Sequence, residues 1–195
     1  MDLQQLVFYF LVIIPSSIIH EYAHGFVADR LGDPTARYAG RLSVDPRVHI
    51  DLWGTILLPL MLFLGTSGRY LFAYAKPVPY NPYNLPGRYD EVLVAAAGPA
   101  TNVALALLFG LVIRFGGALS PELMSAFGVI VVINLVLALF NLIPIPPLDG
   151  SKVLSSIFTA LSPGLARGYD AFRLNFERLG VLSGTLLILI IFYFL

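Results

Sequence analysis

The chain has 195 residues, 57% of them hydrophobic and only 12% charged, with a formal net charge of +0 and no cysteine; its mean hydropathy is +0.80. A soluble domain carries about a quarter charged residues, so the apolar excess calls for lipid as its solvent. The lack of cysteine excludes thiol catalysis, disulfide frameworks and thiolate metal sites, and a balanced charge with no basic run gives nucleic acid nothing to bind.

Charge-free runs occupy 3–19, 52–68, 92–113, 123–148 and 179–195, each close to the length of about 20 residues that a bilayer crossing takes. The expected fold class is an all-α polytopic membrane protein. It would have four to five transmembrane helices, a short β-strand insertion after the first helix and a Pro-broken fourth helix. Residues 1–195 read as a single membrane-embedded domain, with a core over about 8–160 and an interfacial helix and last span over 165–195. The first run has no Lys or Arg before Arg30 and no clean small-residue cleavage site, so it reads as a span and not a signal peptide.

The first helix should outlast its apolar run, because Ile18, Ile19, Tyr22, Ala23, Phe26, Val27 and Leu31 keep helical spacing up to Gly32. Gly32-Asp33-Pro34 then stops it. Over 36–48 the pattern shortens to an alternation of Tyr38, Gly40, Leu42 and Val44 with Arg37, Arg41, Ser43 and Asp45, which predicts one or two brief strands around a turn. Such an edge could hold an unwound peptide by strand addition. The second span gives out at Gly65-Thr66-Ser67-Gly68, and the four prolines of 76–87 forbid a helix there. Tyr70, Tyr74, Tyr80, Tyr83 and Tyr89 around that stretch suit the headgroup level. The third span is expected over 91–114, and the fourth starts after Ser120-Pro121, a cap followed by Pro at the first helical position. Pro144, Pro146 and Pro147 interrupt it, and helix resumes over 149–161. Between 165 and 179, Arg167, Asp170, Arg173 and Glu177 lie on a different face from Phe172, Phe176 and Leu179, as in an interfacial helix.

His20-Glu21-Tyr22-Ala23-His24 is an H-E-x-x-H sequence on the predicted first helix. Residues four apart share a face, so both imidazoles can reach one tetrahedral Zn²⁺ while Glu21 meets the water it activates. A chance match or a polar pair that merely joins helices competes with this reading. Three ionisable groups in five residues at the end of an apolar run are costly for such a purpose, because intramembrane ionisable residues are rare and usually functional. A catalytic zinc needs a third protein ligand and an open position. Arg30 stands where a metzincin would place its third His, and Asp29 points off the ligand face. His49, Asp45, Asp51, Asp90, Glu91 and Asp149 are the candidates. Asp149 is the only carboxylate between Glu122 and Asp170 and follows a Pro-rich break, a backbone tolerated at membrane depth only around a buried or wet cavity. It is favoured over His49 on that ground, with N-capping of the next helix as its alternative role. Asn102 and Asn141 each stand in a strongly apolar run. Such residues usually join helices by hydrogen bonds, but either amide could donate to a developing oxyanion.

Three segments in order, His20-Glu21-Tyr22-Ala23-His24-Gly25, Gly98-Pro99-Ala100-Thr101-Asn102 and 141–150 (NLIPIPPLDG), together resemble the site-2 protease family of intramembrane zinc metalloproteases. The match runs from about residue 8 to 160. Val48-His49-Ile50-Asp51 and Lys76-Pro77-Val78-Pro79 look like a compact bacterial or archaeal branch without PDZ or CBS domain. The resemblance implies His20, His24 and Asp149 as ligands of one Zn²⁺ per chain, with Glu21 as general base. It puts Asn102 near the site, to position substrate or the oxyanion, with Asn141 as the lesser candidate and His49 as a structural or groove residue. It also implies cleavage of transmembrane protein or peptide substrates within the lipid bilayer, by a multi-pass protein of a prokaryotic plasma membrane. A catalytically silent, zinc-containing scaffold that binds transmembrane helices is the competing function, and the intact set of catalytic residue types argues against it. A metal transporter would need a second intramembrane cluster, which the sequence lacks. Positive charge after the first span favours a cytoplasmic loop, but Arg and Lys further along would lie opposite, so orientation is not decided.

Overall fold

The computed structural model describes residues 3–66 and 75–178, in which all the regular secondary structure is helical. Helix α1 (Leu3–Arg30) is followed by two single turns, α2 (Thr35–Tyr38) and α3 (Pro46–His49). A six-residue π-helical stretch, Leu52–Leu57, runs into α4 (Leu58–Gly65), and a 3₁₀ turn occupies Pro82–Asn84. Helices α5 (Asp90–Phe115) and α6 (Pro121–Asn141) are long; α7 (Asp149–Leu161) and α8 (Pro163–Glu177) are shorter.

Three of these helices are long and apolar enough to cross a bilayer: Val7–Arg30 within α1, Asp90–Phe115 and Pro121–Asn141. The expectation of four to five spans therefore comes down to three among the described residues. Leu52–Gly65 is helical but short, about 21 Å against a hydrocarbon core of about 30 Å. The run at 179–195, expected as the last span, lies outside the described residues, as do Tyr70 and Tyr74.

Helices α1, α5 and α6 pack on one another, α7 lies on α5, and α8 on α7. The packing is inside-out relative to a soluble bundle. Small or polar residues fill the contacts, among them Ala28, Ala95, Ala106, Ala138, Asn102 and Asn134, while Leu11, Leu107 and Leu139 are 61–68% exposed. Between membrane helices small residues let backbones approach and polar ones hydrogen-bond, and large apolar side chains face lipid. Ser120 caps α6 by accepting from the Leu123 N–H at 3.3 Å, with Pro121 in the first turn as expected. Helix α6 ends at Asn141, before the prolines, and α7 restarts at Asp149.

The β-strand insertion is not there: among the described residues no strand forms, and 36–48 holds α2, α3 and the turn between them. Local side-chain hydrogen bonds win over alternation. Asp33 accepts from the Thr35 N–H at 3.2 Å, and Asp45 from the Arg47 N–H at 3.0 Å, each starting a helical turn. Gly40, at φ +63°, reverses the chain between them, and Tyr38 and Val44, on one side of the alternation, are 83% and 62% exposed. The edge-pairing idea falls with the strand.

The end of α1 is tied down as well as stopped. Gly32 takes φ +111°, which glycine adopts without strain, and turns Asp33 inward, where it is fully buried. The Asp33 carboxylate accepts from the Asn81 N–H at 2.6 Å and the Asn84 amide at 2.8 Å. It thereby binds the Pro-rich segment 75–84 to α1. Burial raises the Asp33 carboxyl, but hydrogen bonds from Thr35, Asn84 and Asn81 outweigh that and hold it below its ordinary value.

Candidate metal centre

His20 and His24 sit one turn apart on α1, with ring centroids 4.7 Å apart and planes at 81°. Their Nε2 atoms are 3.1 Å from each other, and Asp149 Oδ2 lies 3.1 Å from His20 Nε2 and 3.2 Å from His24 Nε2. The three donor atoms form a nearly equilateral triangle. Tetrahedral zinc at about 2.0–2.1 Å from each donor sets neighbouring donors about 3.3 Å apart, so the triangle has the size of one face of that tetrahedron. Among the described residues this is the one cluster of three or more side chains able to hold a metal ion.

The helices explain how residues this distant in sequence meet. Pro99 inside α5 removes a helical N–H and loosens its turn. Gly98 beside it lets α5 reach the imidazoles, for a Cβ there would lie 2.4 Å from His24 Nε2 and 2.5 Å from His20 Nε2. That cradle, which a single methyl would fill, lies at the same place as the triangle of donors. The opposite wall comes from the break after α6. Gly150 packs backbone to backbone on the turn below it, where a Cβ would be 2.2 Å from the Leu142 carbonyl oxygen. The Tyr169 hydroxyl on α8 donates to the Pro144 carbonyl at 2.9 Å. Asp149 is the first residue of α7, and no side chain caps that helix, so its carboxylate is turned to the histidines and not spent as an N-cap. The helix N-terminus at which it sits favours its negative charge.

The outer ring nitrogens are engaged too. His24 Nδ1 donates to the Val94 carbonyl at 2.7 Å. Since a carbonyl only accepts, the proton is on Nδ1 and Nε2 offers a lone pair. His20 Nδ1 lies 2.5 Å from Asn102 Oδ1. This is the arrangement that fixes the tautomer and the ring plane of metal-ligating histidines. Lone pairs that converge without a proton between them repel, so the donor set fits a cation.

The other residues singled out from the sequence are placed elsewhere or differently. Glu21, next to His20, accepts from the Val78 N–H at 2.9 Å, so segment 75–81 runs across the motif-bearing turn of α1. Gly25 leaves room for it, since a Cβ there would meet Val78 Cγ1 at 2.7 Å. Asn102 is fully buried; its oxygen faces His20 and its nitrogen donates to Asn134 at 2.8 Å. It stands behind a candidate ligand, with both ends of its amide engaged. Asn141 donates to the Leu137 carbonyl of its own helix at 2.9 Å. His49 belongs to another corner, where its Nε2–H donates to the Ser43 carbonyl at 2.7 Å. Asp45 pairs with Arg47 at 2.7 Å, Asp51 caps the π-helical stretch, Asp90 accepts from the Gly87 N–H and Glu91 pairs with Arg173 at 3.3 Å. Asn134 and Asp33 are central in the structure and were not singled out from the sequence.

Two imidazoles and a carboxylate gathered between apolar helices, with a glutamate beside the first imidazole, are the parts of a membrane metallohydrolase. Comparison with known proteins agrees. The profile of peptidase family M50 matches residues 114–168. YwhC of Bacillus subtilis, named an inferred zinc metalloprotease, is 37% identical over 157 residues, covering 75% of this chain and 67% of that protein. Rip2 of Mycobacterium tuberculosis, of the same inferred activity, is 32% identical over 151 residues, covering 77% of this chain and 54% of Rip2. MJ0611 of Methanocaldococcus jannaschii, named likewise, is 45% identical over 76 residues, 38% of each chain. The chain thus spans about two thirds of the Bacillus relative and about half of the mycobacterial one. No solved structure matches it. The chain belongs to peptidase family M50, the site-2 protease class of zinc metalloproteases.

Proposed function

We propose that the chain hydrolyses peptide bonds in or near transmembrane segments of membrane-protein substrates, with His20, His24 and Asp149 as zinc ligands and Glu21 as general base. The observation that carries this is the triangle of three donor atoms, 3.1, 3.1 and 3.2 Å on its edges, between helices long enough to span a bilayer. Bound there, zinc would supply Lewis acidity and lower the pKa of a water molecule to about 7. Glu21 then takes a proton on its carboxylate during attack on the peptide carbonyl and returns it to the leaving amine. The Val78 N–H holds one carboxylate oxygen of Glu21 and so restricts how the base is aimed. The single unit 1–195, the prokaryotic plasma membrane and the multi-pass arrangement belong to the same reading, supported by the apolar helices and the bacterial and archaeal relatives.

A substrate helix hides its amides in its own hydrogen bonds, so it must unwind locally before attack. The test is cleavage of a panel of single-span substrates by purified wild-type protein and Glu21→Gln, with zinc content measured on both. Glu21→Gln should lower cleavage by about 10²–10⁴-fold while keeping one zinc per chain. Equal product from both proteins would sink the protease reading and leave the silent zinc-containing scaffold.

A further inference from the structure

Behind the candidate metal centre lies a chain of buried amides. Asn102 on α5, Asn134 on α6 and Ser16 on α1 are 0%, 0% and 5% exposed. Asn134 Nδ2 donates to the Ile130 carbonyl at 2.9 Å and to Ser16 Oγ at 3.0 Å. Its Oδ1 accepts from Asn102 Nδ2 at 2.8 Å, and Asn102 Oδ1 faces His20 Nδ1 at 2.5 Å.

The polarity of this chain follows from one end. The Ile130 carbonyl can only accept, so the NH₂ of Asn134 must face it and its oxygen must face Asn102. Asn102 therefore turns its own NH₂ towards Asn134 and its oxygen towards His20. An oxygen there requires the proton on His20 Nδ1, which leaves Nε2 as a lone pair facing His24 and Asp149. Were Asn102 to flip, its NH₂ would call for a lone pair on Nδ1 and push the proton to Nε2, against the two other donors.

We propose that Asn134, which touches none of the three candidate ligands, is a positioning residue. It locks the amide of Asn102 in the orientation that makes His20 Nε2 available to a metal. The inference rests on the ligand set proposed above.

Two substitutions separate polarity from packing. Asn134→Leu has similar volume but no acceptor for Asn102. Asn134→Asp, held as the neutral acid between membrane helices, can donate its O–H to the Ile130 carbonyl and accept from Asn102 with its other oxygen, and so should rescue. The first readout is nitrogen NMR of metal-free protein carrying ¹⁵N-histidine. Three histidines are present, and the structure assigns Nδ1–H to His20 and His24 and Nε2–H to His49. Wild type and Asn134→Asp should carry a proton on Nδ1 of both His20 and His24 and on Nε2 of His49, whatever the inner Nε2 atoms hold in the absence of metal, whereas Asn134→Leu should lose Nδ1–H at His20. The second readout is zinc affinity by chelator competition, which should fall about 10–100-fold in Asn134→Leu, the cost typical of losing an outer-shell partner, and stay within a few-fold of wild type in Asn134→Asp. Ser16→Ala leaves the Ile130 carbonyl in place and should change neither. Asn134→Ala, with a smaller side chain in the same contact, is read beside Asn134→Leu and should give the same loss, so a folding failure of one leaves the other to decide.

Unchanged ring patterns and zinc affinity in Asn134→Leu or Asn134→Ala would overturn the inference, as would equal losses in Asn134→Asp. Failure of the underlying ligand reading looks different: His20→Ala would then bind zinc as tightly as wild type, whatever Asn134 does.

Discussion

At the residue scale the site is decided by what each side chain leaves room for. Gly98 is the sharpest case, because the methyl of an alanine would be 2.4 and 2.5 Å from the two Nε2 atoms, inside the space a metal takes. Gly98→Ala should therefore drop zinc from one ion per chain to a small fraction of that, with helix content unchanged, as measured by metal analysis and circular dichroism. A variant that keeps full zinc would show that α5 can back away from α1. The H-E-x-x-H pair was legible in the sequence because helical spacing alone puts His20 and His24 on one face. Asp149 was legible as a lone carboxylate beside broken backbone. Asn102 was legible as an oddity but its contacts were not: a lone amide in an apolar run looks the same whether it faces a substrate or the back of a ligand, and its partner in the structure, Asn134, had not been singled out. Asn141 drew attention and Asn134 did not, although both are single asparagines in the same helix.

At the element scale the informative piece is the segment 75–84. From the sequence it is a Pro-rich loop at headgroup level. In the structure it is tied to α1 and to the turns that follow it, with the Lys76 N–H on the His49 carbonyl at 2.8 Å, the Lys76 carbonyl on Arg41 at 2.7 Å, the Val78 N–H on Glu21 at 2.9 Å and the Asn81 N–H on Asp33 at 2.6 Å among the attachments. Proline fixes φ and forbids helix but does not say what the chain lies against, which is why this placement was not read from residue types. Asp33 is the strongest anchor. Asp33→Ala leaves several buried donors without an acceptor and should lower the unfolding temperature in detergent by at least about 4 °C, a loss of about 2 kcal/mol. The acid response carries a sign. Because the folded protein holds the Asp33 carboxyl below its ordinary value, its contribution is fully present above the unfolded pKa of about 3.9 and is lost as pH falls through the lower folded value. Thermal scans from pH 7 into the acid range should show wild type beginning to lose this increment below about pH 4, while Asp33→Asn does not. The failed strand shows the same limit from the other side, since alternation over a few residues means a strand only if another edge can pair with it.

At the scale of the whole molecule the low charge content reads directly into architecture. The large apolar side chains are outside and the polar ones within, and three helices have the length and composition of spans. With no cysteine in the chain, single substitutions can be labelled without background. Leu107→Cys and Leu139→Cys, at positions 61% and 68% exposed, should resist a charged maleimide in intact bilayers and react once detergent removes the lipid. Arg167→Cys on α8 should react in both. Equal labelling of all three in bilayers would mean that α5 and α6 do not face lipid. Among the described residues the spans are fewer than the apolar runs because an apolar run counts residues, whereas a crossing needs continuous helix, and Leu52–Gly65 supplies too few turns.

The donor triangle joins residue 20 to residue 149, across 129 positions of chain. A polypeptide is made from one end, so the first two donors are in place when little more than α1 exists, and the third arrives only after α5, α6 and the proline break have been made and folded back. On the proposed ligand set, the nascent chain passes most of its synthesis in the membrane with an incomplete grip on its metal. Hydrolytic competence is then an assembly event that comes near the end. A chain that stops short of α7 would be inert towards its neighbours even with its H-E-x-x-H motif intact.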